Sequence, residues 1–386
     1  MSTTAEPTNA VAMDRRVADF RKLFPITAKA VYLNSSAKGA LCTPVQNAYA
    51  KFLDDWDSMG APWQLWMQRT EEVKASFAEL IGASPAEIAT SLSVSTATSS
   101  IASALDYSKR NKVVVGDQEY PTIAQIWLAQ QRLGAEVRFV RSSGPCPTPE
   151  DYARVVDENT LIVPLTHISF KNGSILAVKE ITEVCHRQGA MVLLDDYQRT
   201  GTSPMDVKEL GVDFLVTGMV KYMIGPPGLA FIYVREDLVR ELQPSVTGWF
   251  ARQDPFSLDI EHLDYADSAR RFETGSFPIG AIYGSLAALA VMKSLGLDTI
   301  AKHIALLARR AVPALYDLGF NVTTPRDSTG PMVAIETDRV HEIVERLARE
   351  KILFAARNNL FRVSFHAYNT LEEVDVLLDA LQRLGH

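Results

Sequence analysis

The chain has 386 residues, 47% of them hydrophobic, and a formal net charge of −7 at pH 7. A chain of this length and apolar content can form one large domain or two medium ones, each with a substantial core. The negative charge gives no electrostatic reason to bind nucleic acid, and no stretch approaches the roughly 20 apolar residues that a membrane span needs. We therefore expect neither nucleic acid nor a membrane among its partners.

The three cysteines, Cys42, Cys146 and Cys185, are widely spaced and form neither a disulfide framework nor a ligand pair. This pattern predicts a reducing compartment. The seven histidines are scattered, so no metal site is expected. Residues 1–9 are small and polar without the apolar core of a signal peptide, which indicates a disordered lead-in and a cytoplasmic protein.

Short apolar runs alternate with amphipathic stretches over residues 112–234, which is typical of strands buried in a parallel sheet and joined by crossover helices. The predicted strands cover residues 113–115, 137–140, 161–165, 192–194, 214–216 and 229–234. The predicted helices between them cover residues 122–132, 149–156 and 178–188. This alternation predicts an α/β fold.

After residue 234 the pattern changes to longer elements. The predicted helices cover residues 279–295, 299–318 and 339–350, and the predicted strands cover residues 332–336 and 360–365. We place a domain boundary between residues 260 and 275. The resulting division is an N-terminal segment, partly disordered (1–29), a large domain (30–265) and a smaller C-terminal domain (266–386).

A carboxylate and a lysine stand out because each follows an apolar run. Asp195 ends the run that begins at residue 191, and Lys221 follows the next run and precedes the turn Gly225-Pro-Pro-Gly228. A lysine amine can form a Schiff base with the aldehyde of pyridoxal phosphate, and a carboxylate at the pyridine nitrogen keeps the ring electron-accepting. Gln198 is close enough in sequence to Asp195 to hydrogen-bond a ring substituent. The alternative is that Asp195 caps a helix and Lys221 is an ordinary solvated lysine.

Small hydroxylated residues are concentrated between Ser91 and Ser100, just before a helical pattern at residues 101–105. Such a turn at a helix N-terminus presents free N–H groups to a phosphate, and the helix dipole favours the negative charge. The alternative is a simple helix cap. Since no Gly-x-Gly-x-x-Gly or Walker sequence is present, a nucleotide phosphate is the weaker interpretation.

Two further side chains suit the same chemistry. Tyr120 follows a predicted strand and can stack on a flat cofactor, although a lone aromatic residue can equally belong to the core or the rim. Arg362 lies within an apolar strand and needs an anionic partner, which is either a substrate carboxylate or a structural acid.

With these residues in place, the chain resembles the class V aminotransferase superfamily of fold-type I pyridoxal phosphate enzymes, which includes cysteine desulfurases, kynureninases and isopenicillin N epimerase-like proteins. The resemblance runs from Val31-Tyr-Leu-Asn34 to the C-terminus, with the motifs in the family's order. It implies a fold-type I PLP-dependent transferase fold, in which a large domain with a mainly parallel sheet is joined to a smaller C-terminal α+β domain.

The resemblance also implies the cofactor contacts. Asp195-Asp-Tyr-Gln198 is similar to the family's Asp-x-x-Gln, with the aspartate at the pyridine nitrogen and the glutamine at the ring oxygen. Lys221 falls on the Schiff-base lysine, and Tyr120 takes the ring-stacking position. The residues implied at the cofactor phosphate are Ser95, Thr96, Ala97, Trp249 and Ser276.

On the substrate side, Arg362 matches the arginine that binds the α-carboxylate of an amino-acid substrate. Phe170 and Asn34 fall on segments that approach the substrate in the family. Ser276 lies in a segment, Arg271-Phe-Glu-Thr-Gly-Ser276, that resembles the one reaching the neighbouring subunit's phosphate, so a homodimer with shared sites is implied. The roles of Lys38 and Arg357 do not follow from spacing alone.

Departures from the family's patterns bear on the reaction. Desulfurases carry a nucleophilic cysteine on a loop before the carboxylate-binding arginine, whereas residues 352–361 contain no cysteine. Val220 replaces the histidine that precedes their lysine. Gly248-Trp249-Phe250 is similar to kynureninase, but Gln198 replaces the histidine of kynureninase.

We therefore expect an enzyme that acts on an α-amino acid through a Lys221 Schiff base. The favoured reaction is that of a lyase, which cleaves a C–S or C–C bond in the side chain of a cysteine- or kynurenine-like substrate. An aminotransferase is the second possibility. An amino-acid epimerase and a non-catalytic pyridoxal phosphate-binding protein are the remaining alternatives.

Overall fold

The computed structural model describes residues 15–385 and divides them between one large sheet, two small sheets and the helices around them. The strands are β1 (Val31–Tyr32), β2 (Ile88–Ser91), β3 (Lys112–Gly116), β4 (Glu136–Val140), β5 (Thr160–Thr166), β6 (Met191–Asp195), β7 (Phe214–Gly218), β8 (Ala230–Val234), β9 (Asn321–Val322), β10 (Met332–Glu336), β11 (Ile352–Leu353), β12 (Ala355–Arg357) and β13 (Leu360–Ser364).

The helices follow the same chain order. They are α1 (residues 15–21), α2 (Thr43–Met59), α3 (Trp63–Ile81), α4 (Val94–Ser103), α5 (Pro121–Ala129), α6 (Pro149–Ala153), α7 (Val178–Arg187), α8 (Val207–Leu210), α9 (Glu236–Val239), α10 (Ile279–Leu295), α11 (Leu297–Asp317), α12 (Val340–Arg349) and α13 (Leu371–Leu384).

The large sheet has seven strands in the order β2-β8-β7-β6-β5-β3-β4. Only β8 is antiparallel to its neighbours, because it pairs antiparallel with both β7 and β2. Six strands therefore end at one edge of the sheet. In open α/β sheets this carboxyl edge is where ligands bind, since the connecting loops form a crevice there.

The two small sheets contain the C-terminal strands. Strands β12, β13, β10 and β9 form an antiparallel sheet, and β1 pairs in parallel with β11. The N-terminal segment joins this unit through the backbone of Ser364, whose N–H donates to the Leu33 carbonyl at 2.9 Å. Residues near position 34 and the end of β13 are thus held side by side, next to the carboxyl edge of the large sheet.

Most predicted elements agree with the observed ones, and the α/β fold with a mainly parallel central sheet is confirmed. The predicted helix 122–132 ends earlier, because α5 stops at Ala129 and continues as a 3₁₀ turn. Helices α1, α3, α8 and α9 and strands β1, β2, β9, β11 and β12 were not predicted from the pattern. The domain boundary between residues 260 and 275 stays a prediction.

Within residues 15–385, no single helix is long and apolar enough to cross a membrane. Helices α10 and α11 reach that length and composition only together, and the backbone bends by 76° between them.

A close backbone approach joins the N-terminal segment to the loop after β7. The Gly39 N–H donates to the Val220 carbonyl at 2.8 Å, and a Cβ on Gly39 would collide with the Lys221 carbonyl oxygen and lie 3.0 Å from the Ile224 Cα. Because all of these atoms belong to backbone, no side-chain rotation can make room for the extra carbon.

Substitution Gly39→Ala should therefore lower the free energy of unfolding by about 1–3 kcal/mol, the usual cost of overpacking. Urea unfolding followed by circular dichroism measures this change. The matched control is Gly144→Ala, since a Cβ there meets nothing within 4 Å. Equal stability of the two variants would contradict the proposed contact.

Candidate active site

One cavity of about 270 Å³ lies at the carboxyl edge of the large sheet. Its lining comes from the loops that follow β2, β3, β5, β6 and β7, together with the N-terminal segment and β12. The lining residues are Ala37, Ser93, Val94, Ser95, Tyr120, Thr122, Ile123, Thr166, Phe170, Asp195, Tyr197, Gln198, Lys221 and Arg357.

Lys221 lies in the turn that follows β7, and its amino group faces the cavity. The Nζ atom is 4.1 Å from the centroid of the Tyr197 ring and 5.8 Å from that of Tyr120. Burial, with smaller contributions from the positive charges of Arg362 and Arg357, lowers the pKa of Lys221 to about 8, although Asp195 opposes this shift. A larger fraction of the amine is therefore neutral, and hence nucleophilic, near neutral pH than for a lysine with the ordinary pKa of 10.5.

Asp195 is the last residue of β6 and is buried. One carboxylate oxygen accepts a hydrogen bond from the Tyr197 backbone N–H at 3.1 Å. Burial raises the pKa of Asp195 to about 6, whereas the charge of Lys221 acts in the opposite direction. A carboxylate held in this environment gains stability from any cation brought next to it, such as a protonated pyridine nitrogen.

The neighbouring Asp196 does not line the cavity and instead connects the ends of β5 and β6. Its carboxylate contacts His167 Nδ1 at 2.8 Å and accepts a hydrogen bond from the Thr200 hydroxyl at 2.5 Å. His167 directly follows β5, so this network ties the end of β5 to the end of β6. The position of Asp195 is thereby set by two adjacent strands.

Gln198 is 6% exposed and has one unsatisfied polar atom. Its Nε2 donates to the Ser36 carbonyl at 3.3 Å, whereas its Oε1 is buried without a partner among the described residues. Orphaned buried acceptors are costly, and a ligand hydroxyl in the cavity would satisfy this one. The residues present therefore fit a ring that carries a hydroxyl group and a basic nitrogen.

Helix α4 begins at the cavity. Ser93 caps it by accepting a hydrogen bond from the Thr96 backbone N–H at 3.1 Å, and Ser93, Val94 and Ser95 line the cavity. Thr96 and Ala97 do not line it, and the Ala97 N–H is bonded to the Ser93 carbonyl. The helix N-terminus suits a phosphate, while the assignments of Ser95, Thr96 and Ala97 stay predictions.

Tyr120, Phe170 and Arg357 form another part of the lining, and Arg362 supports it from behind. The rings of Tyr120 and Phe170 meet edge to face with centroids 5.1 Å apart. Arg357 donates to the Tyr120 hydroxyl at 3.1 Å, and Arg362 donates to the Phe170 carbonyl at 2.7 Å. Arg362 is 4% exposed and lies behind the lining, with its Nε unpartnered among the described residues. Burial, followed by the charge of Arg357, lowers the pKa of Arg362.

Three other predicted site residues lie outside the cavity. Asn34 forms a backbone bridge to Ser364, and its buried Oδ1 has no partner among the described residues. The Trp249 ring packs 4.0 Å from Phe250. Ser276 lines a small neighbouring pocket to which Thr96 also contributes. The predicted roles of these three residues stay predictions.

All three cysteines lie within the described residues, and none lines the cavity. Cys42 and Cys185 are buried elsewhere, and Cys146 is partly buried. Desolvation raises the pKa of each thiol, most strongly for Cys185, where it reaches about 12. Reactive cysteines are instead exposed and have a lowered pKa.

Some lining residues were missed by the sequence analysis. Tyr197 lies between two predicted residues, Asp195 and Gln198, and its ring contacts Lys221. Thr166 ends β5 directly opposite Asp195 in the sheet register. The rule that loops at the carboxyl edge form the site would have indicated both.

The aminotransferase class V family model matches residues 31–377 of the protein. Among curated proteins, the uncharacterized aminotransferase YcbU of Bacillus subtilis strain 168 is 33% identical over 370 residues, which cover 96% of this chain and 98% of that protein. A probable cysteine desulfurase of Methanothermobacter thermautotrophicus is 28% identical over 404 residues, which cover 96% and 98%.

A solved structure gives the same fold. The complex between the cystine C-S lyase C-DES and its reaction product cysteine persulfide superposes with a TM-score of 0.87, covering 94% of this chain and 100% of that one. The sequence identity is 24%, so this likeness concerns the fold.

The lowered pKa of Lys221 predicts how cofactor-free protein combines with added pyridoxal phosphate. Since only the neutral amine attacks an aldehyde, the rate should rise with pH with a midpoint at about 8. Substitution Asp195→Asn removes the charge that raises the lysine pKa and should move the midpoint to lower pH. The growth of the visible absorption band measures this rate.

The matched control is Glu79→Gln, which removes an exposed carboxylate that pairs with Lys293 at 2.6 Å. This variant should keep the wild-type midpoint. A wild-type midpoint at the 10.5 of an unperturbed lysine would contradict the electrostatic description of the site.

Proposed function

The protein belongs to the aminotransferase class V family, and on that premise we propose that it is a lyase that cleaves a C–S or C–C bond in the side chain of an α-amino acid. It is a pyridoxal 5′-phosphate-dependent enzyme. When bound, the cofactor supplies an aldehyde that condenses with amines and a ring that accepts electrons from the α-carbon.

Three residues are proposed to hold the cofactor ring. Lys221 would be the amine that binds the aldehyde, Asp195 would pair with the ring nitrogen, and Gln198 would bond the ring hydroxyl. Their support is that all three line one cavity and that Gln198 has a free acceptor atom among the described residues. The Lys221 amine would also act as the general base that removes the α-proton of the substrate.

The position of the Tyr120 hydroxyl in the cavity is the observation that favours a lyase over an aminotransferase. Tyr120 lines the same cavity as Lys221, with its ring centroid 5.8 Å from the Lys221 Nζ, and among the described residues its hydroxyl lacks any carboxylate partner. Cleavage of a side-chain bond leaves an electron pair on the departing group, which then needs a proton, and a hydroxyl at this place can donate one. Since none of the three cysteines lines the cavity, the departing group would leave without being captured by a protein thiol.

The second candidate is an aminotransferase, favoured by the similarity to YcbU, a protein described as an uncharacterized aminotransferase. The two reactions differ in their need for a second substrate. A transferase stops after one half-reaction unless a 2-oxo acid regenerates the cofactor aldehyde, whereas a lyase continues without one.

Purified holoenzyme should therefore release product for many turnovers from a cysteine- or kynurenine-like amino acid when no 2-oxo acid is present. Mass analysis identifies the fragments, and Lys221→Ala serves as the blank. A single turnover that becomes continuous only when a 2-oxo acid is added would exclude the lyase and establish the transferase.

We also propose a cytoplasmic homodimer with shared sites. Helix α2 exposes three large apolar side chains at helical spacing, Leu53, Trp56 and Met59, each at least 50% exposed. The residue proposed to reach a partner's cofactor, Ser276, lies outside the cavity of its own subunit. The absence of disulfides among the three cysteines agrees with a reducing compartment.

Substitution Trp56→Glu should shift the mass in sedimentation from twice the 42.6 kDa subunit mass towards that of one subunit, because the new charge would be buried in the interface. Val376→Glu, an exposed apolar position on α13, is the control and should leave the mass unchanged. A wild-type protein that sediments as a single subunit at micromolar concentration would rule out the dimer.

A further inference from the structure

The cavity faces a second guanidinium group besides that of Arg362. Arg357 ends β12, and Arg362 lies on β13, where it pairs across the ladder with Ala355. The two arginines are thus carried by one β-hairpin. Arg357 lines the cavity directly, whereas Arg362 lies behind the lining.

The hairpin places a positive charge next to each of the two aromatic residues Tyr120 and Phe170. Arg357 contacts Tyr120 at its hydroxyl, and Arg362 contacts Phe170 at its carbonyl oxygen. Both arginines contribute to the lowered pKa of Lys221, which indicates that both charges act on the reacting end of the cavity.

This positive charge is not neutralised by a neighbouring acid in the described part of the protein. Within residues 15–385 neither arginine forms an ion pair, and Asp195 is the only carboxylate among the lining residues. Asp195 lies beside Lys221, where it would face the cofactor ring. Two guanidinium groups on the substrate side therefore exceed what one α-carboxylate requires.

We propose that Arg357 binds a second carboxylate, carried by the side chain of the substrate, while Arg362 binds the α-carboxylate. The inference rests on the proposed function and narrows its substrate class to amino acids whose side chain or departing group bears a carboxylate. The guanidinium fork of Arg357 keeps donors available beyond the single bond to Tyr120, so a carboxylate can be bound in the fork geometry. Tyr120, the proposed proton donor, is contacted by the same arginine and lines the same cavity.

Binding of amine-free acids to the holoenzyme tests this assignment without any turnover. Succinate carries two carboxylates and propionate carries one, and neither can react with the cofactor. Substitution Arg357→Gln should weaken succinate binding by about ten- to hundredfold, the usual value of a charge-assisted hydrogen bond, and leave propionate binding within about twofold. Isothermal titration calorimetry measures both affinities, and the cofactor absorption band verifies that each variant is intact.

Three further variants make the comparison specific. Arg357→Lys keeps the charge without the fork and should lose less affinity for succinate than Arg357→Gln does. Arg349→Gln, at an exposed position on α12, should change neither affinity. Arg362→Gln should weaken both acids.

Equal weakening of succinate and propionate by Arg357→Gln would mean that both arginines bind the same carboxylate, and it would overturn the proposal. Unchanged affinities would overturn it as well. A holoenzyme that selects succinate in this way but cleaves no amino acid would refute the lyase and leave the second carboxylate site standing.

Discussion

The electrostatic coupling of Lys221 and Asp195 within one buried cavity is the interaction on which the candidate site depends. Burial acts against the charge of both groups, lowering the pKa of the lysine to about 8 and raising that of the aspartate to about 6. The charge of each group partly offsets the free-energy cost of burying the other charge. The coupling therefore favours the charged form of the carboxylate and restrains the loss of charge from the amine, while burial keeps part of the amine neutral and reactive.

The fold holds this pair by the sheet register, by a side-chain network and by a close backbone approach. Asp195 is fixed by the sheet register and by the hydrogen bonds of Asp196, while Lys221 lies in a turn that Gly39 approaches too closely to allow a side chain. Ile224, which closes that turn, has a positive φ of 50°, a conformation that costs a β-branched residue about 1–3 kcal/mol. The surrounding backbone contacts therefore maintain a strained turn at the place where chemistry is proposed.

Much of the fold and part of the site could be predicted from sequence. Six strands of the large sheet are predicted from their buried apolar runs, and Asp195 and Lys221 stand out because one ends such a run and the other follows the next run. The place of Tyr197 at the carboxyl edge could have been predicted, but nothing in its spacing shows that its ring lies against Lys221. Arg357 needed the register of a short hairpin that periodicity does not reveal, and Trp249 packs against other aromatic rings rather than into the cavity.

The most direct test of the central claim is to find the lysine that carries the cofactor. Holoenzyme is reduced with borohydride, which fixes the cofactor to its amine, and the digested peptides are mapped by mass spectrometry. The account predicts that the pyridoxyl group is found on Lys221 alone. Its attachment to Lys38, Lys171 or any other lysine, or the absence of any modified peptide, would contradict the account.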